Sequence, residues 1–148
     1  MDYEIDANGN KEWYLEGKLH SVECVNGDKY WYKEGKLHRE DGPALVKFNG
    51  TKHWYIKGNL HREDGPAVEY ASGDKYWYLE DKLHRVDGPA IEWNNGDKSW
   101  YKEGVLHRVD GPAIKWFNGD KEYYYLGKRA ECKSDEEYFK LLKLKAFW

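Results

Sequence analysis

Four copies of the tetrad His-Arg-x-Asp carry the side chains of this chain that are best suited to chemistry. They are His38/Arg39/Asp41, His61/Arg62/Asp64, His84/Arg85/Asp87 and His107/Arg108/Asp110. Imidazole and carboxylate groups bind metal ions and transfer protons, and a guanidinium group binds carboxylates and phosphates. Because the copies recur every 23 residues, any chemistry that they perform is repeated along the chain and has no unique site.

Neither metal binding nor catalysis fits this repetition. Each copy offers one His and one Asp as ligands. Neighbouring copies would lie two strands apart, roughly 10 Å, whereas metal–ligand bonds are about 2 Å long. No Ser or Cys stands at a fixed offset from the tetrad to act as a nucleophile. The sequence therefore predicts a protein that is not an enzyme, with no catalytic residues, no metal and no cofactor.

Two interpretations of the tetrad remain open, one structural and one functional. In the structural interpretation, the Asp accepts backbone N–H groups in an Asp-Gly-Pro turn. The Arg pairs with the Asp of its own or the adjacent repeat, and the His bonds a backbone carbonyl and packs on a Tyr ring. The structural turn residues are then Asp41, Asp64, Asp87 and Asp110.

In the functional interpretation, the arginines lie beside ladders of aromatic rings and bind a ligand. Such a surface suits bases and phosphates, and it suits a protein partner equally, because Trp, Tyr and Arg are frequent hot-spot residues. The candidate binding residues are Trp31, Trp54, Trp77, Trp100, Tyr32, Tyr55, Tyr78, Tyr101, Arg39, Arg62, Arg85 and Arg108.

A repeat of 23 residues must position these side chains. Four full copies span residues 27–118, a short copy at 9–26 precedes them, and a decayed copy at 119–133 follows. The short copy lacks five residues where the full copies carry Arg-x-Asp-Gly-Pro. Atypical terminal copies are expected in a stack of repeats, because the ends must stop it.

Each copy has the pattern of a β-hairpin. The Lys-x-Trp-Tyr segment is strand-prone, a turn such as Glu-Gly-Lys follows it, and Asn-Gly ends most copies. Strand alternation places the Trp and Tyr ladders on opposite faces. We therefore predict a mainly β fold, an elongated antiparallel meander of hairpin repeats that forms a single domain over residues 1–148.

Residues 134–148 predict a short capping α-helix. Ser134 and Glu137 form a capping box, and apolar residues follow at helical spacing at Tyr138, Leu141, Leu142 and Ala146. We expect this helix to cover the last edge of the sheet, because an uncovered edge invites aggregation.

The composition narrows the class of protein. Trp 8, Tyr 13 and Phe 4 accompany a mean hydropathy of −1.04, which indicates a folded chain that buries rings. A net charge of −3 gives no electrostatic case for extended nucleic acid or a membrane surface. No apolar run is long enough to span a bilayer. Two distant cysteines, Cys24 and Cys132, favour a reducing cytoplasm.

The repeats resemble the MORN repeat in its variant form. The matching residues are Trp31-Tyr32, Gly35, Leu37-His38-Arg39 and Asp41-Gly42-Pro43-Ala44, with their three later copies, over roughly residues 9–148. Similar repeats are common in phages, giant viruses and some bacteria. The resemblance implies a scaffold or binding surface.

From these observations we expect a non-enzymatic cytoplasmic protein, encoded by a phage or virus, that binds and occludes a host protein, with a defence factor as the natural target. Two alternatives stay open: a sponge that sequesters a small nucleotide signal, and an antitoxin-like partner of a toxin. The sequence also leaves homodimer formation open.

Overall fold

The computed structural model describes residues 2–144 and shows a long antiparallel β meander followed by one short α-helix. The prediction of a mainly β meander of hairpin repeats is confirmed. Thirteen strands follow one another across the main sheet in the order β1-β2-β3-β4-β6-β7-β10-β11-β14-β15-β18-β19-β20, and β5 pairs with β4 beside this path. Three further hairpins, β8-β9, β12-β13 and β16-β17, lie outside it.

The strands are short in the central repeats. Their bounds are β1 Asp2–Ile5, β2 Lys11–Leu15, β3 Lys18–Glu23, β4 Lys29–Lys33, β5 Lys36–Leu37, β6 Leu45–Val46, β7 Lys52–His53, β8 Tyr55–Ile56, β9 Asn59–Leu60, β10 Val68–Glu69, β11 Lys75–Tyr76, β12 Tyr78–Leu79, β13 Lys82–Leu83, β14 Ile91–Glu92, β15 Lys98–Ser99, β16 Tyr101–Lys102, β17 Val105–Leu106, β18 Ile114–Lys115, β19 Lys121–Tyr125 and β20 Lys128–Ala130; helix α1 spans Asp135–Lys143.

The returning strand of each full repeat is interrupted by a five-residue loop. In the first full repeat, the Trp31 carbonyl accepts the His38 N–H and the Trp31 N–H donates to the Ala44 carbonyl. Residues 39–43 therefore leave the ladder and re-enter it at Ala44. The short N-terminal copy lacks these five residues, and its returning strand β3 runs unbroken over Lys18–Glu23. The simple two-strand hairpin predicted from the sequence exists only in that copy and in the decayed one.

Two kinds of turn end the strands. At Asn-Gly, the Gly27 N–H donates to the Cys24 carbonyl at 2.8 Å and Gly27 has φ +90°, the geometry of a three-residue hairpin loop with a left-handed glycine. At the opposite edge, Lys57 and Gly58 both have positive φ, at 54° and 89°. A two-residue turn of this kind matches the twist of the strands that it joins.

Side chains join successive repeats along the Asn-Gly edge. The carboxylate of Asp28 accepts the Phe48 N–H at 2.8 Å, and Asp97 accepts the Phe117 N–H at 2.7 Å. In the second full repeat, the Thr51 hydroxyl takes this role and accepts the Ala71 N–H at 3.2 Å. Each turn therefore caps a backbone donor of the next turn, which fixes the register of the stack.

The apolar core is divided between the two faces of the sheet. Ala44, Ala67, Ala90 and Ala113 are fully buried, at 0 % exposure. By alternation they share the Trp face, beneath the five-residue loops. Leu45, Val68 and Ile91 are buried on the Tyr face. A thin sheet has no room for one central core, so small residues on one face and branched residues on the other supply the burial.

Helix α1 packs on the last hairpin through Tyr138, which is fully buried against Tyr123 and Ala130. Its hydroxyl donates to the carbonyls of Arg108 at 2.6 Å and Tyr124 at 3.0 Å, and burial raises the pKa of Tyr138 to about 12. Tyr123 occupies the Trp position of its repeat, so the helix lies where the other repeats place a loop.

Ser134 caps the N-terminus of the helix as predicted from the sequence, but the reciprocal bond from Glu137 goes to the residue before the cap. The Ser134 hydroxyl accepts the Glu137 N–H at 3.2 Å. The Glu137 carboxylate accepts the N–H of Lys133 at 2.7 Å. The predicted helix extended over 134–148; residues 145–148, which include Ala146, lie outside the described residues.

His53 is a defect in the Tyr face, and we expect His53→Tyr to stabilise the chain. Both ring nitrogens are buried and have no hydrogen-bond partner among the described residues. The ring stacks on Tyr55, and burial lowers the pKa of His53. Tyr30 and Tyr76 occupy the equivalent position in the flanking repeats. Removing the unsatisfied polar atoms should add about 1 kcal/mol to the free energy of unfolding.

Urea denaturation at pH 8 checks this prediction, with His53→Phe as a second variant that lacks the Tyr hydroxyl. If both variants unfold at lower urea than the original chain, the imidazole has a structural role that its contacts do not reveal.

Candidate functional site

Each Arg of the tetrad lies flat against the Trp of its own repeat. The guanidinium carbon is 4.2 Å from the ring centroid in the pair Arg39–Trp31, and 4.1 Å in the pairs Arg62–Trp54, Arg85–Trp77 and Arg108–Trp100. These are cation–π contacts of good geometry. They account for the joint recurrence of Trp and Arg, which stand eight positions apart in every full repeat.

The glycine of Asp-Gly-Pro covers the other side of the guanidinium. A Cβ atom added at Gly65 or Gly88 would lie 2.8 Å from the guanidinium carbon of Arg62 or Arg85. The first and fourth copies are slightly looser, at 3.3 Å for Gly42 and 3.4 Å for Gly111. A larger residue at Gly65 or Gly88 would therefore displace the guanidinium, and each loop is a sandwich of Trp, Arg and Gly.

Each Arg donates two or three hydrogen bonds within its own repeat. In the third full repeat, Arg85 Nε donates to Asp87 at 3.0 Å, and Nη1 donates to the Pro89 carbonyl at 3.2 Å and to Glu92 at 3.0 Å. Arg62 makes the same three contacts with Asp64, Pro66 and Glu69. The Arg thus holds the loop closed and is committed to the fold.

The Asp of the tetrad binds this Arg. The structural interpretation of the sequence predicts that the Asp accepts backbone N–H groups in the turn, at Asp41, Asp64, Asp87 and Asp110. The structure instead brings each Asp to the Nε of the Arg two residues before it, at 2.6–3.0 Å. The hydrogen bond to Arg holds the pKa of all four carboxyl groups below the usual value. The Arg–Asp pairing within one repeat agrees with the structural interpretation.

The His of the tetrad joins its repeat to the next one. His38 Nδ1 accepts the Lys57 N–H at 3.0 Å, and His61, His84 and His107 accept the N–H groups of Glu80, Glu103 and Leu126. All four donors begin a turn with positive φ. The sequence predicts that the imidazole bonds a backbone carbonyl. In the structure the imidazole instead accepts a backbone N–H, and this bond requires an unprotonated Nδ1.

This acceptor role makes the stack sensitive to acid, and we expect the melting temperature to fall between pH 7.5 and 5.5. Burial, helped by Lys102, lowers the pKa of His107 below its usual value. The folded state therefore binds fewer protons than the unfolded state. The contribution of His107 is complete above about pH 6.5 and declines as the pH falls below that value.

Thermal melts across this pH range test the effect, with His107→Asn as the control. The amide oxygen of Asn can accept the Leu126 N–H but does not titrate in this range. The variant should show a shallower dependence on pH. A melting temperature that is constant from pH 7.5 to 5.5 in the original chain would contradict the assigned role.

The Tyr ladder lies on the opposite face from the Trp and Arg residues. Neighbouring strand positions alternate between faces, and the ring contacts on the Tyr face join Tyr30 to Tyr32 and His53 to Tyr55. Burial raises the pKa of Tyr32, Tyr55, Tyr78 and Tyr101. The twelve predicted binding residues therefore do not form one surface: Trp and Arg are stacked together, and the tyrosines are on the other side.

Three grooves separate the four loops. Their volumes are about 780, 600 and 700 Å³ in chain order. The first is lined by residues 39–43, Trp54, Ile56 and 61–64; the second by 62–66, Trp77, Leu79 and 84–87; the third by 84–89, 100–102 and 107–110. Each groove is thus lined by a Trp, a Pro, at least one His and the Arg–Asp pairs of the two loops that flank it.

The variable residue of His-Arg-x-Asp forms the rim of these grooves. It is Glu40, Glu63, Val86 and Val109 in the four copies. Glu63 has 87 % and Val86 92 % of its surface exposed. The sequence gives one signal for this position, its variation between otherwise similar copies, although Glu40 itself accepts a hydrogen bond from Lys33 at 3.1 Å.

Among residues 2–144, no group of three or more His, Cys, Asp or Glu side chains is placed to hold a metal ion. No helix within that range has the length and apolar content to cross a bilayer. Cys24 and Cys132 are free thiols, and burial raises the pKa of both.

No model of a known protein family matches the chain, and no curated protein matches it significantly. A meander of β-hairpins does not by itself identify a repeat family, so the MORN-like assignment remains a prediction from the sequence.

Proposed function

We propose that this chain is a non-enzymatic binding protein that recognises and occludes a partner protein with the surface formed by its four loops. The observation that carries the proposal is the row of three open grooves between consecutive loops. The grooves repeat one set of residue types, as a surface for an extended partner would, and no copy differs from the others in the way that a single catalytic site requires.

The state of the arginines supports a protein partner over a nucleotide. A nucleotide sponge would need guanidinium groups and indole rings to hold phosphates and bases. Here each ring is covered by an Arg whose Nε already binds an Asp. The carboxylates of Asp64 and Asp87 are exposed and would repel a phosphate that approached this surface. The nucleotide sponge is therefore the second candidate.

The class of partner follows from the resemblance to variant MORN repeats. Because such repeats are common in phages and giant viruses, we propose a host defence protein as the partner and the host cytoplasm as the place of action. Free Cys24 and Cys132 fit a reducing compartment. An antitoxin-like role would use the same surface against a toxin, and an adjacent toxin gene would favour it.

Capture with rim variants tests the proposal. The tagged full-length chain is used as bait in a host-cell lysate, beside Val86→Asp, which alters the second and third grooves, and Val25→Asp, an exposed valine at the Asn-Gly edge. We expect a specific partner that Val86→Asp loses and Val25→Asp retains, with melting temperatures unchanged. Retention by Val86→Asp together with loss by Val25→Asp would place the binding surface elsewhere and overturn the proposal.

A further inference from the structure

The spacing of the three grooves selects a particular ligand conformation. Successive loops are separated by two strand spacings of the main sheet, which is about 9.6 Å. A polyproline II helix repeats every three residues, about 9.3 Å. A β-strand repeats at about 6.7 Å, and the seven-residue repeat of an α-helix is about 10.5 Å. Of these three conformations, the polyproline II helix has the repeat closest to the groove spacing. It therefore places equivalent side chains in all three grooves with the smallest mismatch in position.

The lining of the grooves suits such a ligand. Pro43, Trp54 and Ile56 line the first groove, and Pro66, Trp77 and Leu79 line the second. Aromatic-lined grooves are the usual receptors of proline-rich segments, whose conformation is already ordered before binding.

The charges on the groove rims indicate which end of the ligand is basic and which end is apolar. Glu40 and Glu63 stand over the first groove and Val86 and Val109 over the third. The Asp carboxylate of each loop is matched by the Arg of that loop, and Lys33 pairs with Glu40 at 3.1 Å, so Glu63 carries the excess negative charge of the first groove. A ligand that fits this surface is basic over the first groove and apolar over the third.

We propose that the grooves bind a proline-rich segment of the partner in the polyproline II conformation, with every third side chain in a successive groove and a basic end beside Glu63. This inference rests on the proposed function. It adds the chemistry and the periodicity of the segment that is recognised.

Fluorescence anisotropy with labelled peptides and the full chain tests the periodicity. The probe is Arg-Pro-Pro-Arg-Pro-Pro-Leu-Pro-Pro. Its controls are Arg-Arg-Leu followed by six prolines, which has the same composition without the period, and the charge-reversed Glu-Pro-Pro-Glu-Pro-Pro-Leu-Pro-Pro. We expect the probe to bind roughly tenfold more tightly than either control. Equal affinities for the three peptides, or no binding of the probe at about 1 mM, would overturn the inference.

Variants of the chain test where the basic end of the ligand lies. Glu63→Lys, on the rim of the first and second grooves, should weaken binding of the probe roughly tenfold, whereas Glu131→Lys, an exposed residue in the decayed copy, makes the same change in net charge without effect. Equal weakening by both variants would show a non-specific charge effect and overturn the assignment. If the probe fails while Val86→Asp still abolishes capture of a partner, the polyproline inference falls and the proposed function stands.

Discussion

Replacing Arg85 with Lys is expected to lower the free energy of unfolding by about 2 kcal/mol. The Lys ammonium cannot cover the Trp77 ring as a planar group, and it cannot reach Asp87, Pro89 and Glu92 at once as the guanidinium does. An Arg-to-Lys change is not conservative where the guanidinium stacks on a ring and donates to several acceptors. The melting temperature should fall by about 4–8 °C.

Arg129→Lys is the matched control for this change. Arg129 lies on β20 outside the loops and is largely exposed, 3.9 Å from Glu122, so its replacement should leave the melting temperature unchanged. Asp87→Asn should have a smaller effect than Arg85→Lys, because the Asp87 carboxylate is in solvent. Equal melting temperatures for Arg85→Lys and the original chain would show that the sandwich does not hold the loop.

Replacing Tyr138 with Ala should destabilise the C-terminal end of the stack by about 3 kcal/mol or more. The change removes a fully buried ring from Tyr123 and Ala130 and leaves the Arg108 carbonyl without the hydroxyl that donates to it. Since each repeat contacts only its neighbours, unfolding should begin at this end. The rate of amide hydrogen exchange should rise over residues 121–143 and remain unchanged over residues 29–46.

Two variants separate the parts of this effect. Phe139→Ala removes a partly exposed ring from the same helix and should cost much less. Tyr138→Phe keeps the ring and removes only the hydroxyl, at a cost of about 1–2 kcal/mol. If Tyr138→Ala and Phe139→Ala were equally stable, helix α1 would not cap the stack.

The repeat, the strands and the helix cap could be predicted because they depend on local patterns. Asn-Gly marks a hairpin wherever it stands between strands, and alternation alone places Trp54 and Tyr55 on opposite faces. Ser134 and Glu137 define the start of α1 through contacts three residues apart. None of these features needs knowledge of the neighbouring repeat.

The loop sandwich could not be predicted in this way, because it depends on contacts between segments. Gly65 lies against the guanidinium of Arg62, and its own backbone conformation does not call for a glycine. His61 acts on Glu80, 19 residues away in the next repeat. One sequence signal did point to the loop: the short N-terminal copy omits the Arg-x-Asp-Gly-Pro segment and nothing else, as expected for an excursion from a strand.

The candidate site was therefore predicted only in part. The sequence joined Trp and Arg in one feature, but each guanidinium lies over the ring that was expected to bind, which leaves the ring half-buried. The exposed positions are the neighbours of these residues, Glu63 and Val86. The residues that recur in every copy make the contacts that hold the repeat, and we propose that the position that varies between copies faces the partner.

Site-specific photocrosslinking tests the central claim, that the loop surface contacts the partner. Benzoylphenylalanine is placed at position 86 on the loops or at position 25 on the Asn-Gly edge, two exposed valines of the original chain, and each protein is irradiated with the captured partner. We expect a covalent adduct from position 86 and none from position 25. An adduct from position 25 with none from position 86 would contradict the claim.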